Sequence, residues 1–211
     1  MCVISRERSR RMRPISVVRC GGVRAFMPPQ KPPVWANVRN TFWYGPACPQ
    51  ATGRYNDLNQ FFFEFTERTY VDEDCLSLNV WTPGVTDQRK RPVMFWLHGG
   101  GFVFGSSFEL PSYDGRNLAQ RGDVVVVSIN HRLNAFGYLY LAEYGQQFSD
   151  SVNVGMLDIV AALQWVHETL RHLVAIRATS RSSGSPRRAS RVRRVLGYGE
   201  VTLLMPHVSA R

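Results

Sequence analysis

Residues 93 to 107 read VMFWLHGGGFVFGSS, an apolar strand-type run that empties into Gly99, Gly100 and Gly101 behind His98. A strand ending in a glycine loop can bring bare backbone N–H groups up to a developing negative charge, the arrangement known as an oxyanion hole. Taken alone, three glycines also fit a simple tight strand-to-loop turn. The nucleophile that would use such a hole has no recognisable setting. Ser106 and Ser107 follow the glycines but lie in no G-x-S-x-G context, so they read as loop hydroxyls. His98 reads as a structural residue that orients the loop, and His167, His172 and His207 fit no catalytic motif.

Other chemistries find little support. The cysteines, Cys2, Cys20, Cys48 and Cys75, form no C-x-x-C pair and have no histidine-rich partner, so no metal site is expected and no cofactor motif is present. No apolar run approaches the roughly 20 residues a transmembrane helix needs. Arg6, Arg8, Arg10, Arg11 and Arg13 interrupt any signal-peptide core at the N-terminus.

The net charge of +10 suggests nucleic acid or an anionic surface only until its distribution is read. Residues 1 to 24 carry +6 and residues 171 to 211 carry +8, whereas 25 to 170 carry −4. Both lysines, Lys31 and Lys90, sit in the acidic middle, and the flanks are basic through arginine alone. A phosphate-binding surface would use lysine as well, so the flanks look like GC-rich DNA translated out of frame. Disordered basic tails remain an alternative for residues 1 to 24. Nucleic-acid binding is not expected, because no basic face interleaved with aromatics accompanies the arginines.

The elements that must position the glycine loop can be read around it. Residues 28 to 50 are rich in proline and aromatics, an extended surface segment. Leu76 to Trp81 alternates and ends at Thr82, Pro83 and Gly84, a strand and a turn. Val93 to Leu97 is continuously apolar, a strand expected to be buried on both faces, and Val124 to Asn130 is a third strand after a helical stretch at Asn117 to Arg121. Asn153 to Leu170 reads as an amphipathic helix through Val154, Leu157, Val160, Ala161, Leu163 and Trp165. Val-rich strands separated by helical connectors predict an α/β fold. Three segments follow: a basic N-terminal segment 1–25, disordered or non-native; a structured region 26–170; and an Arg/Ser-rich, disordered tail 171–211.

The middle region resembles the type B carboxylesterase and cholinesterase family of α/β-hydrolases. The matching motifs, in order, are YGPACPQ (44–50), EDCLSLNVWTP (73–83), PVMFWLHGGGFVFGSS, YDGRNLAQRGDVVVVSINHRL (113–133) and NVGMLDIVAALQWVHETL (153–170). The resemblance implies a partial α/β-hydrolase fold, the N-terminal part of a mostly parallel sheet with flanking helices, and a parent enzyme that hydrolyses small-molecule carboxylic esters through an acyl-serine intermediate. It implies that Gly100 and Gly101 are oxyanion donors. It pairs Cys48 with Cys75 as a disulfide, worth about 3 kcal/mol by chain entropy, with two buried reduced cysteines as the alternative. It pairs Arg132 with Asp158 as a buried ion pair holding strand and helix in register. It also implies a secreted or extracellular parent. Two departures narrow the substrate: Phe65 stands where cholinesterases carry the tryptophan that stacks on a quaternary ammonium, and His131 replaces the tyrosine of N-Y-R. A weaker aromatic cation contact at Phe65 fits generic ester hydrolysis better than acetylcholine hydrolysis.

After its helix the family continues A-F-G-G-D-P-x-x-V-T-I-F-G-E-S-A-G, with the serine on a strained elbow. Here Glu168, Thr169 and Leu170 lead instead into RHLVAIRATSRSSGSPRR. Joining the third base of each codon to the first two of the next, from His172 through Arg187, permits the reading F-G-G-D-P-x-x-V-T-I-F-G-E-S-A. A frame change near residue 170 is therefore expected, with the serine codon divided between Ser185 and Pro186. Val201 to Arg211 resembles the next in-frame stretch; a retained intron piece or paired frame errors would explain the extra length before it. The catalytic serine, acid and histidine are then all absent, and the chain is expected to be inactive, with Val124 to Asn130 left as an open sheet edge. The alternative is a non-catalytic cholinesterase-like adhesion or binding protein.

Overall fold

A computed structural model of the chain describes residues 15–16, 24–32, 41, 43–50, 70–85, 89, 91–173 and 201–204. Phe65, Cys2, Cys20, Ser185 and Pro186 lie outside the described residues. The strands are β1 Ile15–Ser16, β2 Ser77–Trp81, β3 Val93–Leu97, β4 Val125–Ile129 and β5 Val201–Leu204, joined in one sheet in the order β1-β2-β4-β3-β5. The helices are α1 Arg116–Gly122, α2 Asn134–Tyr138 and α3 Val154–Leu173.

The α/β class follows the sequence, and the pairing adds what the sequence could not supply. β3 runs parallel to β4, with Phe95 opposite Val127, and residues 98–124 with α1 provide the crossover that a parallel pair requires. The other three pairings, β1 with β2, β2 with β4 and β3 with β5, are antiparallel. The described part of the sheet is thus mixed, not mostly parallel. β4 lies between β2 and β3 rather than at an edge, which overturns the expectation of an exposed Val124 to Asn130. Its backbone is paired on both sides, and all five of its residues are buried.

Two burial patterns reverse the periodicity argument. β2 alternates in sequence yet is buried throughout. Leu76, Leu78 and Val80 face the main core, while the polar positions Ser77 and Asn79 are buried on the other side, where hydrogen bonds serve them. β3 is continuously apolar yet only alternately buried. Val93, Phe95 and Leu97 join the core with α3, and Met94 and Trp96 stay half-exposed on the thinly covered face, where Trp96 meets Tyr113 at 5.2 Å.

α3 covers the core face with Val154, Ile159, Ala162, Val166 and Leu170, close to the four-residue stride of a helix that buries one stripe. Val160, assigned to that face by sequence, is 46% exposed. α3 continues to Leu173, beyond the expected boundary at 170. Within the helix, Asp158 receives Arg132 through Nε at 2.8 Å, through a terminal nitrogen at 2.5 Å and through the Arg132 backbone N–H at 3.0 Å. The other terminal nitrogen of Arg132 donates to the carbonyls of Ala25 and Met27, both at 2.8 Å. This fully buried cation therefore fastens α3, the end of β4 and the chain at residues 25–27 together.

Candidate functional site

The glycine loop leaves β3 at its C-terminal end, and its shape follows from backbone conformations that side chains resist. Gly100 has φ +109, where an added Cβ would strike the backbone of Phe104. The Gly100 carbonyl accepts from the N–H groups of Val103 at 3.0 Å and Phe104 at 3.3 Å, which curls the loop. Phe102 occupies the left-handed region at φ 65 despite its side chain. Its carbonyl accepts from the Asn134 N–H at 2.7 Å, and its ring stands edge-on to Tyr138 at 5.4 Å. Among the described residues the N–H groups of Gly100 and Gly101 have no protein acceptor, and Gly101 is exposed. Two such amides can receive an anion.

Beneath the loop lies a buried polar layer, hydrogen-bonded except at Asn79 Oδ1. Asn79 Nδ2 donates to Ser107 Oγ at 3.0 Å and Ser128 Oγ at 3.2 Å. Asn130 Oδ1 accepts from the Ser107 N–H at 2.8 Å, and Asn130 Nδ2 donates to the Pro46 carbonyl at 2.8 Å. Ser106 and Ser107 are each 1% exposed, which leaves neither hydroxyl open to a substrate.

His98 and His131 stack within this layer, ring centroids 4.8 Å apart and nearly parallel. Nδ1 of His98 lies 2.8 Å from the Gly99 carbonyl and Nδ1 of His131 lies 3.1 Å from the Arg132 carbonyl. A carbonyl only accepts, so both rings carry their proton on Nδ1. Burial pushes the His98 imidazole down to about 3, with the neighbouring His131 adding to the shift. Burial pushes His131 down to about 4. Both are neutral near pH 7, and His98 orients the loop with the nitrogen it shares with Gly99.

A second segment closes the loop from the side. Cys48 and Cys75 form a disulfide, S–S 1.99 Å, and Ala47 makes an isolated parallel bridge to Val71. Residues 46–50, read from sequence as extended surface chain, are in fact a strap with Ala47 and Cys48 buried beside β2. Gln50 reaches from it to Gly105, and Asn134 Nδ2 donates to the Pro49 carbonyl at 2.8 Å. Motif reading did not single out Gln50, Asn79, Asn130 or Asn134. For Asn79 and Asn130 the one available signal was an amide side chain within or directly after an apolar strand, where only a paired polar group survives burial. Among the described residues no His, Cys, Asp and Glu cluster could hold a metal, and no helix is long and apolar enough to cross a membrane.

A glycine loop at the carboxyl end of an inner strand, over a mixed sheet with helical cover, is the arrangement the chain shares with solved esterases of the α/β-hydrolase class. The carboxylesterase family model matches residues 20–173, and the chain belongs to that family. It is 43% identical over 145 residues to the para-nitrobenzyl esterase of Bacillus subtilis, covering 69% of this chain and 28% of that protein. It is also 41% identical over 153 residues to the acetylcholinesterase of Electrophorus electricus, covering 71% of this chain and 23% of the other. A solved Clostridium hathewayi esterase, described as hydrolysing aliphatic aromatic polyesters, superposes with a TM-score of 0.70 at 40% identity over 77% of this chain and 31% of its own. A Geobacillus stearothermophilus carboxylesterase gives 0.66 at 39% identity over 77% of this chain and 31% of its own. The chain thus spans less than a third of the length of these relatives.

Proposed function

We propose that this chain carries the oxyanion-stabilising part of a carboxylic-ester hydrolase site without its nucleophile, and that on its own it does not turn over esters. The observation that carries the reading is the glycine loop, whose Gly100 and Gly101 amides have no protein acceptor among the described residues. In acyl transfer such amides bind the oxygen that becomes negative as a tetrahedral intermediate forms, and loss of one donor of this kind costs roughly 10²–10³ in kcat. The attack itself needs an activated serine, a histidine base and an acid that orients it. His98 does not supply the base, because it is buried beneath the loop and burial makes it too weakly basic to take a proton from a serine. No G-x-S-x-G occurs anywhere in the sequence.

The shifted reading of residues 172–187 supports an origin in a family gene whose serine elbow is out of frame. Messenger sequencing across codons 165 to 201 tests that origin, and a stop or a non-serine codon at the elbow would favour a non-catalytic binding protein instead. The Cys48–Cys75 disulfide supports an oxidising, extracytoplasmic setting for the parent. For activity, the purified 211-residue chain is assayed with p-nitrophenyl esters. We expect no turnover above the rate of a denatured control, whereas hydrolysis that an organophosphate blocks would overturn the reading.

A further inference from the structure

Gln50 makes a reciprocal pair of hydrogen bonds with one residue of the glycine loop. Its Oε1 accepts from the Gly105 N–H at 2.7 Å, and its Nε2 donates to the Gly105 carbonyl at 2.9 Å. The same Nε2 donates to the Cys48 carbonyl at 3.1 Å, so one carboxamide spans from the disulfide-bonded residue to the loop. Gly105 is a demanding place to hold. It sits at φ +113, and a Cβ there would come within 2.5 Å of His98 Nδ1 and 2.7 Å of the Gly99 carbonyl. Fixing Gly105 therefore fixes the return of the loop over His98, and with it the turn in which Val103 and Phe104 bond to the Gly100 carbonyl. Asn134 adds a second link, from the Pro49 carbonyl at 2.8 Å to the Val103 carbonyl at a longer 3.4 Å.

We propose that Gln50 is the positioning residue of the glycine loop, and that through it the loop conformation is coupled to the Cys48–Cys75 disulfide. With the disulfide intact, residues 46–50 are anchored beside β2, and the Gln50 carboxamide holds the loop in register with that anchor. With the disulfide reduced, the strap loses its covalent anchor and its hold on Gly105 weakens. The value of this tie to catalysis rests on reading Gly100 and Gly101 as oxyanion donors. The experiment below measures the tie itself, so either can fail without the other.

The test is residue-resolved amide hydrogen exchange on the full chain, oxidised and reduced, for the wild type, Gln50→Ala and Gln50→Glu. Two lost hydrogen bonds at Gly105 should speed exchange at Val103, Phe104 and Gly105 by at least about tenfold in oxidised Gln50→Ala. The amides of β4 serve as the fold control and should not change. Gln50→Glu keeps the acceptor for the Gly105 N–H and loses both donors, so it should fall between the other two. Reduction should speed loop exchange in the wild type and add little in Gln50→Ala, the signature of a shared link in a double cycle. Unchanged loop exchange in Gln50→Ala overturns the proposal. So does loosening of β4 together with the loop, which would make Gln50 a core residue, or an equal response to reduction with and without the glutamine.

Discussion

His98 and His131 place two neutral imidazoles where protonation is expensive. Each has its folded-state pKa depressed below the ordinary 6.5, so each contributes stability that is present above that value and lost as pH falls toward the folded pKa. Below pH 6.5 the unfolded chain binds up to two more protons than the folded one, and each missing proton costs about 1.4 kcal/mol per pH unit. Urea midpoints at pH 7 and pH 5 should therefore drop steeply, and His131→Phe should remove about half of that slope. An unchanged slope would mean that these rings are not the acid-sensitive groups. Arg132 makes a separate case. Arg132→Leu leaves the Asp158 carboxylate buried without its cation and should cost about 3–5 kcal/mol, while adding Asp158→Leu should recover part of the loss, measured by urea unfolding. At this scale the sequence was legible where residue type is itself the message, as with three adjacent glycines. It was silent on Gln50 because a glutamine has no fixed partner, and its partner here is 55 positions away.

The helices and strands were legible in existence and less so in facing. α3 was recognisable by its apolar spacing, but that spacing admits neighbouring stripes, and only packing against Leu78, Phe95 and Val127 selects Ile159 over Val160. Substitution separates them. Ile159→Ala should cost about 2–5 kcal/mol, and Val160→Ala should stay within about 0.5 kcal/mol, both read from chemical denaturation. Equal costs would show that the helix is rotated from the described packing. The strands erred for a related reason. Alternation in β2 signals a solvated face only if nothing covers it, and the glycine loop lays Ser107 over that face to bond Asn79. The continuous apolar run of β3 promised two covered faces, yet α1 and the turn at Pro111–Tyr113 cover the side of Met94 and Trp96 only in part. Periodicity records which side chains can be buried; the neighbours decide which are.

Across the whole molecule, family-specific blocks made the α/β class readable, because five such blocks in one order constrain the chain more than any single motif. Strand order was not readable, since pairing depends on contacts between segments far apart in sequence, and β2 closes on β4 across some fifty residues of chain. The charge map agrees with the extent of the match. The acidic region 25–170 lies within the matched residues 20–173, and the two arginine-rich flanks fall almost wholly outside them. β5 adds a last consequence. Among the described residues it runs opposite to β3 and occupies the outer flank of that strand from Met94 to Leu97. A strand entering parallel beside β3 would first have to evict Val201–Leu204, whereas one joining the outer edge of β5 would find its backbone groups open to pairing.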